Sequence, residues 1–145
     1  MIRKPFEPEV FKATDLPARE AGIKLFNNIF PGITAVNNSD KYGVDLLLLN
    51  EKNEVVGAAE VEVKLVWGSE FRFTTLHFPE RKRKFICGST YFVVFNKSLT
   101  DCFVVEGHEL QKSNIIEVKN YKVPAGEYFF DVPISKCYYY RGLNA

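Results

Sequence analysis

The sequence predicts an α/β domain, with a mixed central β-sheet flanked by helices and a β-rich C-terminal half. Three observations predict it. One stripe of apolar residues at helical spacing lies near the N-terminus, two apolar segments joined by a polar turn follow it, and short β-branched and aromatic runs fill the remainder. The 145 residues suffice for one core, so the domain is expected to span residues 1–145. Hydrophobic residues make up 46% and charged residues 26%, a balance that excludes a disordered chain. Thirteen Phe and seven Tyr favour pleated, half-buried surfaces.

The first dozen residues read as an arm or a loosely packed lead-in. Asp15 can cap a helix whose first position suits Pro17, and Gly32 can end it after Pro31. Ala18, Ala21, Gly22, Leu25, Phe26 and Ile29 then form one apolar stripe, which predicts a helix lying on a sheet. Residues 44–49 read as a strand, 50–54 as its turn and 55–67 as a longer second strand. On that second strand Val61, Val63, Leu65 and Trp67 face one way, while Glu60, Glu62 and Lys64 face the other. A weakly alternating stretch over 71–76 leads to Phe78-Pro79, which opens a loop or a turn of helix. Residues 90–95 predict a buried strand with 101–105 as its hairpin partner. A short helix from Gly107 and strands over 115–118 and 127–133 complete the pattern before the Tyr138-Tyr139-Tyr140-Arg141 tail.

The chemistry concentrates in the first hairpin. A loop centred on Lys52 and Asn53 places Asp45 opposite Glu60 and diagonal to Glu62, and a bulge at Gly57 would shift that register by one. On its own, a strand with Glu60, Glu62 and Lys64 on one face is an ordinary solvated surface. Asp45 changes the reading, because it opens a strand that is apolar on both faces, as a central buried strand should be. Neighbouring carboxylates raise each other's pKa unless a cation compensates, and hard divalent cations prefer carboxylate oxygens. Such an ion can polarise a phosphodiester and acidify a water, and Lys64 would lie beside the developing charge.

A helix, Gly43-Val44-Asp45 opening a strand, a hairpin, and Glu62-Val63-Lys64 in the next strand together resemble the PD-(D/E)XK nuclease superfamily of restriction-endonuclease-like and Holliday-junction-resolvase-like enzymes. The resemblance covers residues 16–67, and Val44 stands where the family's proline precedes the first acid. It implies a restriction-endonuclease-like core, Asp45 and Glu62 as metal ligands with the backbone carbonyl of Val63, and Lys64 assisting hydrolysis. Mg²⁺ is the implied cofactor, with Mn²⁺ able to substitute. Glu20 and Glu60 are further candidate ligands. Glu20 lies nearly opposite the apolar stripe, which favours a solvated role.

The dense basic run Arg81-Lys82-Arg83-Lys84, with Arg72 and His77 before it and aromatic residues interleaved, is the candidate nucleic-acid-binding surface. No serine or cysteine nucleophile has a supporting base and no glycine-rich phosphate loop occurs, which disfavours covalent hydrolases and nucleotide kinases. With a net charge of +1, a nucleic acid must be held by a local basic surface, and a general four-way-junction binder is disfavoured. Cys87, Cys102 and Cys137 are odd in number and have no paired metal spacing, which points to a reduced, intracellular and cytoplasmic setting. No apolar stretch reaches membrane-spanning length. The expected activity is Mg²⁺-dependent hydrolysis of nucleic acid, DNA foremost, with a homodimer or a partner protein suited to cutting both strands. The competing expectation is a non-catalytic nucleic-acid-binding or protein-interaction domain that keeps the same fold.

Overall fold

The predicted helix and hairpin form one side of a three-layer arrangement of helix, six-stranded sheet and three-stranded sheet. The computed structural model describes residues 8–40, 43–86, 89–119 and 126–143. Helix α1 spans Pro8–Ile29, so it begins about two turns before the predicted start. Proline tolerates the first turn of a helix, which lets Pro8 take the position expected of Pro17. Pro17 therefore lies inside the helix, and Asp15 is not its cap. Instead Asp15 accepts a hydrogen bond from Arg19 Nε four residues on, at 2.9 Å. Gly32, with φ of 76°, turns the chain just after the helix.

The large sheet runs in the order β1(Thr34–Asn37), β2(Leu46–Leu49), β3(Val55–Val63), β5(Thr90–Phe95), β6(Cys102–Glu106), β9(Tyr138–Tyr140). Among the described residues only the β3–β5 pairing of this sheet is parallel, so the sheet is mixed, as expected. The small sheet places β8(Glu127–Pro133) between β4(Thr75–Pro79) and β7(Asn114–Val118). Helix α2 covers Gly107–Lys112, and a 3₁₀ helix spans Glu80–Phe85. Three strands have no counterpart in the sequence reading, and one of them, β4, covers Phe78-Pro79, where a loop or a turn of helix is expected. β1 offers only four residues of mixed burial, and β9 is three tyrosines at an edge.

Strand β5 explains the layering. Val93 and Phe95 join the helix-side core with Ala18, Leu25, Phe26, Leu46, Ala59 and Val61. Phe92 and Val94 join the opposite core with Trp67, Phe78, Val105, Phe130 and Val132. Both faces are dry, which explains why the strand reads as one apolar run. The sequence reading has helices flanking the sheet; here α1 covers one face, and the other packs against the small sheet. The reason lies in β4 and β8, whose alternate residues Leu76, Phe78, Phe130 and Val132 are each at most 2% exposed. Gly22 lets α1 approach closely, since a Cβ there would meet Val61 Cγ1 at 2.9 Å and Leu46 Cδ1 at 3.0 Å. Among the described residues no helix is long and apolar enough to cross a membrane.

Candidate active site

The β2–β3 hairpin sets the site by an offset between its loop and a bulge. Leu49 pairs with Val55, which centres the loop on Lys52 and would place Asp45 against Ala59, on the helix-facing side. Val56 is an extra residue, because Leu48 pairs with Gly57, and from there Leu46 pairs with Ala59. The bulge thus restores the register that puts Asp45 opposite Glu60. Asn53, with φ of 61°, closes the turn, a conformation asparagine tolerates.

Four hydrogen bonds from α1 and β3 fix Asp45. Its amide donates to Glu60 Oε2 at 2.8 Å, and the Val61 amide donates to Asp45 Oδ2 at 2.9 Å. Arg19 donates from Nη2 to Asp45 Oδ1 at 2.9 Å and from Nη1 to the Asp45 carbonyl at 3.1 Å. Lys82 donates to the other oxygen of Glu60. The resulting chain, Asp15–Arg19–Asp45–Glu60–Lys82, is a partly buried network in which Arg19 bridges two acids, the Asp45 amide reaches Glu60, and Lys82 pairs with Glu60.

Burial raises the pKa of two acids of this network, Asp15 and Glu60, and of Glu62 beside it. Glu60, 5% exposed, is pushed up to about 7 by desolvation, against the pull of Lys82 and with a further push from Asp45. Glu62 and Asp15 are raised for the same first reason, and Asp45 adds to each. Burial alone would lower Lys82, but Glu60, Asp45 and Glu62 outweigh it and hold the lysine above its usual value. Between its ordinary 4.5 and about 7, Glu60 therefore keeps a proton in the folded protein that the unfolded chain releases. Stability falls as pH rises through that window and levels off above it, by up to about 3 kcal/mol at ~1.4 kcal/mol per unit. Melting in EDTA should give a lower Tm at pH 8 than at pH 5, and Glu60→Gln should reduce the difference, with Glu62 and Asp15, raised in the same direction, carrying the rest. An unchanged or higher Tm at pH 8 would refute this.

The structure brings some expected residues together and separates others. Glu62 and Lys64 line a cleft of about 270 Å³ between the sheets, with His77, Arg81 and Glu127. Lys64 Nζ rests 5.1 Å from the centre of the Phe73 ring. Glu20 is exposed on α1, and Asp15 is the helix acid that reaches the network. The basic run divides in the same way. Lys82 turns inward to Glu60, Arg83 pairs with Glu80 and lies over Phe130, Lys84 is exposed, and Arg72 is 81% exposed beside Glu70. His77 Nε2 sits 3.0 Å from Asp131 Oδ1. Cys102 and Cys137 are free thiols, and Cys87 lies outside the described residues. Sequence reasoning missed Arg19, Asp15 and Glu127. The i, i+4 spacing of Asp15 and Arg19 was the available signal for the first two.

Among the described residues, no three Asp, Glu, His or Cys side chains converge as a metal site by themselves. The donors nevertheless suit Mg²⁺, which is commonly held by one or two carboxylates plus waters and substrate phosphate. Among the described residues no hydrogen bond reaches the Glu62 carboxylate, which faces the cleft, and each Asp45 oxygen keeps a lone pair. Glu60 accepts at both oxygens, from the Asp45 amide and from Lys82, so it braces Asp45. A scan of protein-family models finds no match to this chain, and searches of curated proteins and of solved structures find no significant one.

Proposed function

We propose that this protein is a metal-dependent nuclease of the PD-(D/E)XK kind, with a restriction-endonuclease-like core and DNA as the favoured substrate. The observation that carries the reading is positional. Asp45 immediately precedes β2 and its amide meets Glu60, while Glu62 and Val63 end β3 with Lys64 just beyond, so Asp45 and these last three residues fall at the same end of two adjacent antiparallel strands. The order of helix, three-stranded meander and parallel fourth strand places that end beside an open cleft. Asp45, Glu62 and the carbonyl of Val63 would hold Mg²⁺ or Mn²⁺. The bound ion supplies Lewis-acid polarisation of the phosphodiester and a more acidic water. Lys64, steadied on Phe73, would offset negative charge developing at phosphorus. Arg19 and Glu60 keep Asp45 in one orientation throughout.

The test is incubation with supercoiled, linear and branched DNA and with single-stranded RNA, in Mg²⁺, Mn²⁺ or EDTA, beside Lys64→Ala. Metal-dependent cleavage lost in Lys64→Ala is the expected result; no cleavage of any substrate overturns the reading. Metal should also raise the Tm. At 100 times its Kd it stabilises the fold by about 2.7 kcal/mol, so a Tm indifferent to both ions argues against the site. One observation favours a second reading, a nucleic-acid-binding domain without turnover. Arg19 and Lys82 already neutralise Asp45 and Glu60, so the acids have counter-ions without a metal. Binding of nucleic acid with no metal-dependent cleavage would select it.

A further inference from the structure

We propose that Arg81, held by the buried carboxylate of Glu127, is the group that grips a substrate phosphate in the cleft between the two sheets, with Glu127 as its positioning residue. The nature of the ligand, a nucleic-acid phosphodiester, rests on the nuclease reading; the arrangement of the cleft does not.

Arg81 differs from the other cations of its run. Lys82, Arg83 and Lys84 lie off the cleft, the first bound to Glu60, the second to Glu80 and the third exposed. Arg81 lines the cleft with Glu62 and Lys64, and it helps to stabilise the charged form of Glu62.

Glu127 is the second half of the device. It is the first residue of β8, and its side chain is 3% exposed. Its Oε2 lies 3.3 Å from Arg81 Nε and takes no hydrogen bond among the described residues. A carboxylate that deep is costly unless it has a cation. An arginine paired through Nε keeps both terminal amino groups for another anion, and their planar fork matches two oxygens of one phosphate. Lys64, across the cleft, is a single point charge and cannot set an orientation. Glu127 thus spends its charge on aiming Arg81, and the phosphate is placed between Arg81 and the Glu62–Lys64 pair. His77, on the same cleft, is already turned to Asp131.

The experiment compares Arg81→Ala, Arg81→Lys, Glu127→Gln and the Arg81→Ala/Glu127→Gln double variant, each checked for folding by thermal melting. Affinity for labelled single-stranded and duplex oligonucleotides is measured in EDTA at several salt concentrations, and cleavage is measured in Mg²⁺. Arg81→Ala should weaken binding about tenfold, reduce the duplex salt slope by about 0.9 and slow cleavage roughly a hundredfold. Arg81→Lys should fail to restore cleavage, because the charge returns without the fork. Glu127→Gln should cost several-fold, and the double variant should be no worse than Arg81→Ala alone. Wild-type behaviour of Arg81→Ala, full rescue by lysine, or additive losses in the double variant would overturn the clamp. If the wild type binds without cleaving and Arg81→Ala loses binding, the clamp stands and the nuclease reading falls. Cleavage that ignores Arg81 leaves the nuclease reading standing without the clamp, and a wild type that neither binds nor cleaves removes both.

Discussion

Asp45→Asn should abolish metal-dependent cleavage while leaving the protein folded. Loss of a residue that merely orients a metal ligand costs 10–100-fold, so removing a direct carboxylate ligand should cost on the order of a thousandfold or more. The stability side of this substitution is a contest between two effects. Asp45 raises the pKa of Asp15, Glu60 and Glu62, so removing its charge relieves repulsion. Against that, its two oxygens accept from two different donors, Arg19 Nη2 and the Val61 amide. Asparagine has one oxygen and an amino group, so one of these donors loses its acceptor, at about 1–3 kcal/mol for a buried group. The donor contacts outweigh the relief, and a Tm modestly below wild type in EDTA is expected. Arg19 limits the damage because Asp15 still holds its Nε. The decisive measurement pairs cleavage in Mg²⁺ with melting in EDTA. Wild-type cleavage by Asp45→Asn removes Asp45 from the reaction, and outright unfolding would recast it as a structural residue.

The parts of this molecule that were legible in the sequence are those where one period dominates. The apolar stripe of α1, the β5–β6 hairpin and strand β8 each announce themselves by spacing and bury the residues expected. The meeting of Asp45 with Glu60 was legible too, but through an offset: a loop centre on Lys52 and a bulge at Val56 together reproduce the register of an unbulged loop centred half a residue later. The start of α1 was not legible, because Pro8 and Pro17 both satisfy the rule for a first-turn proline and only the surrounding structure chooses between them. β1 and β9 escaped because edge strands of three or four residues carry too little alternation to register. The charge network escaped for a different reason. Arg19 and Asp45 are 26 positions apart and Lys82 and Glu60 are 22 apart, so their pairing exists only once the sheet is formed. A basic run looks uniform as letters. Within one 3₁₀ turn Lys82 reaches buried Glu60, Arg81 reaches buried Glu127 beside the cleft, and Arg83 and Lys84 do neither.

Phe26→Ala should cost about 3–5 kcal/mol, the usual range for deleting a fully buried aromatic ring, and the loss should reach the site. Phe26 is 0% exposed, with the rings of Phe30 and Tyr91 each 5.8 Å away. It holds the C-terminal half of α1 to β5, while Gly22 lets the middle of the helix press on Leu46 and Val61. Those contacts also fix the height of Arg19 above Asp45, so a helix that loosens carries the guanidinium away from both oxygens it serves. Domains of this size have only about 5–15 kcal/mol of net stability, so the variant should stand near its threshold. Urea unfolding gives the test, with a lower midpoint and an unchanged slope expected. Phe78→Ala is the comparison, because Phe78 is equally dry but belongs to the opposite core, against Phe92. The two cores share only the sheet, so the free-energy losses should add when both substitutions are combined. A strongly non-additive double variant would mean the sheet transmits strain between its faces, and a loss below about 1 kcal/mol for Phe26→Ala would mean α1 is held chiefly by its small residues.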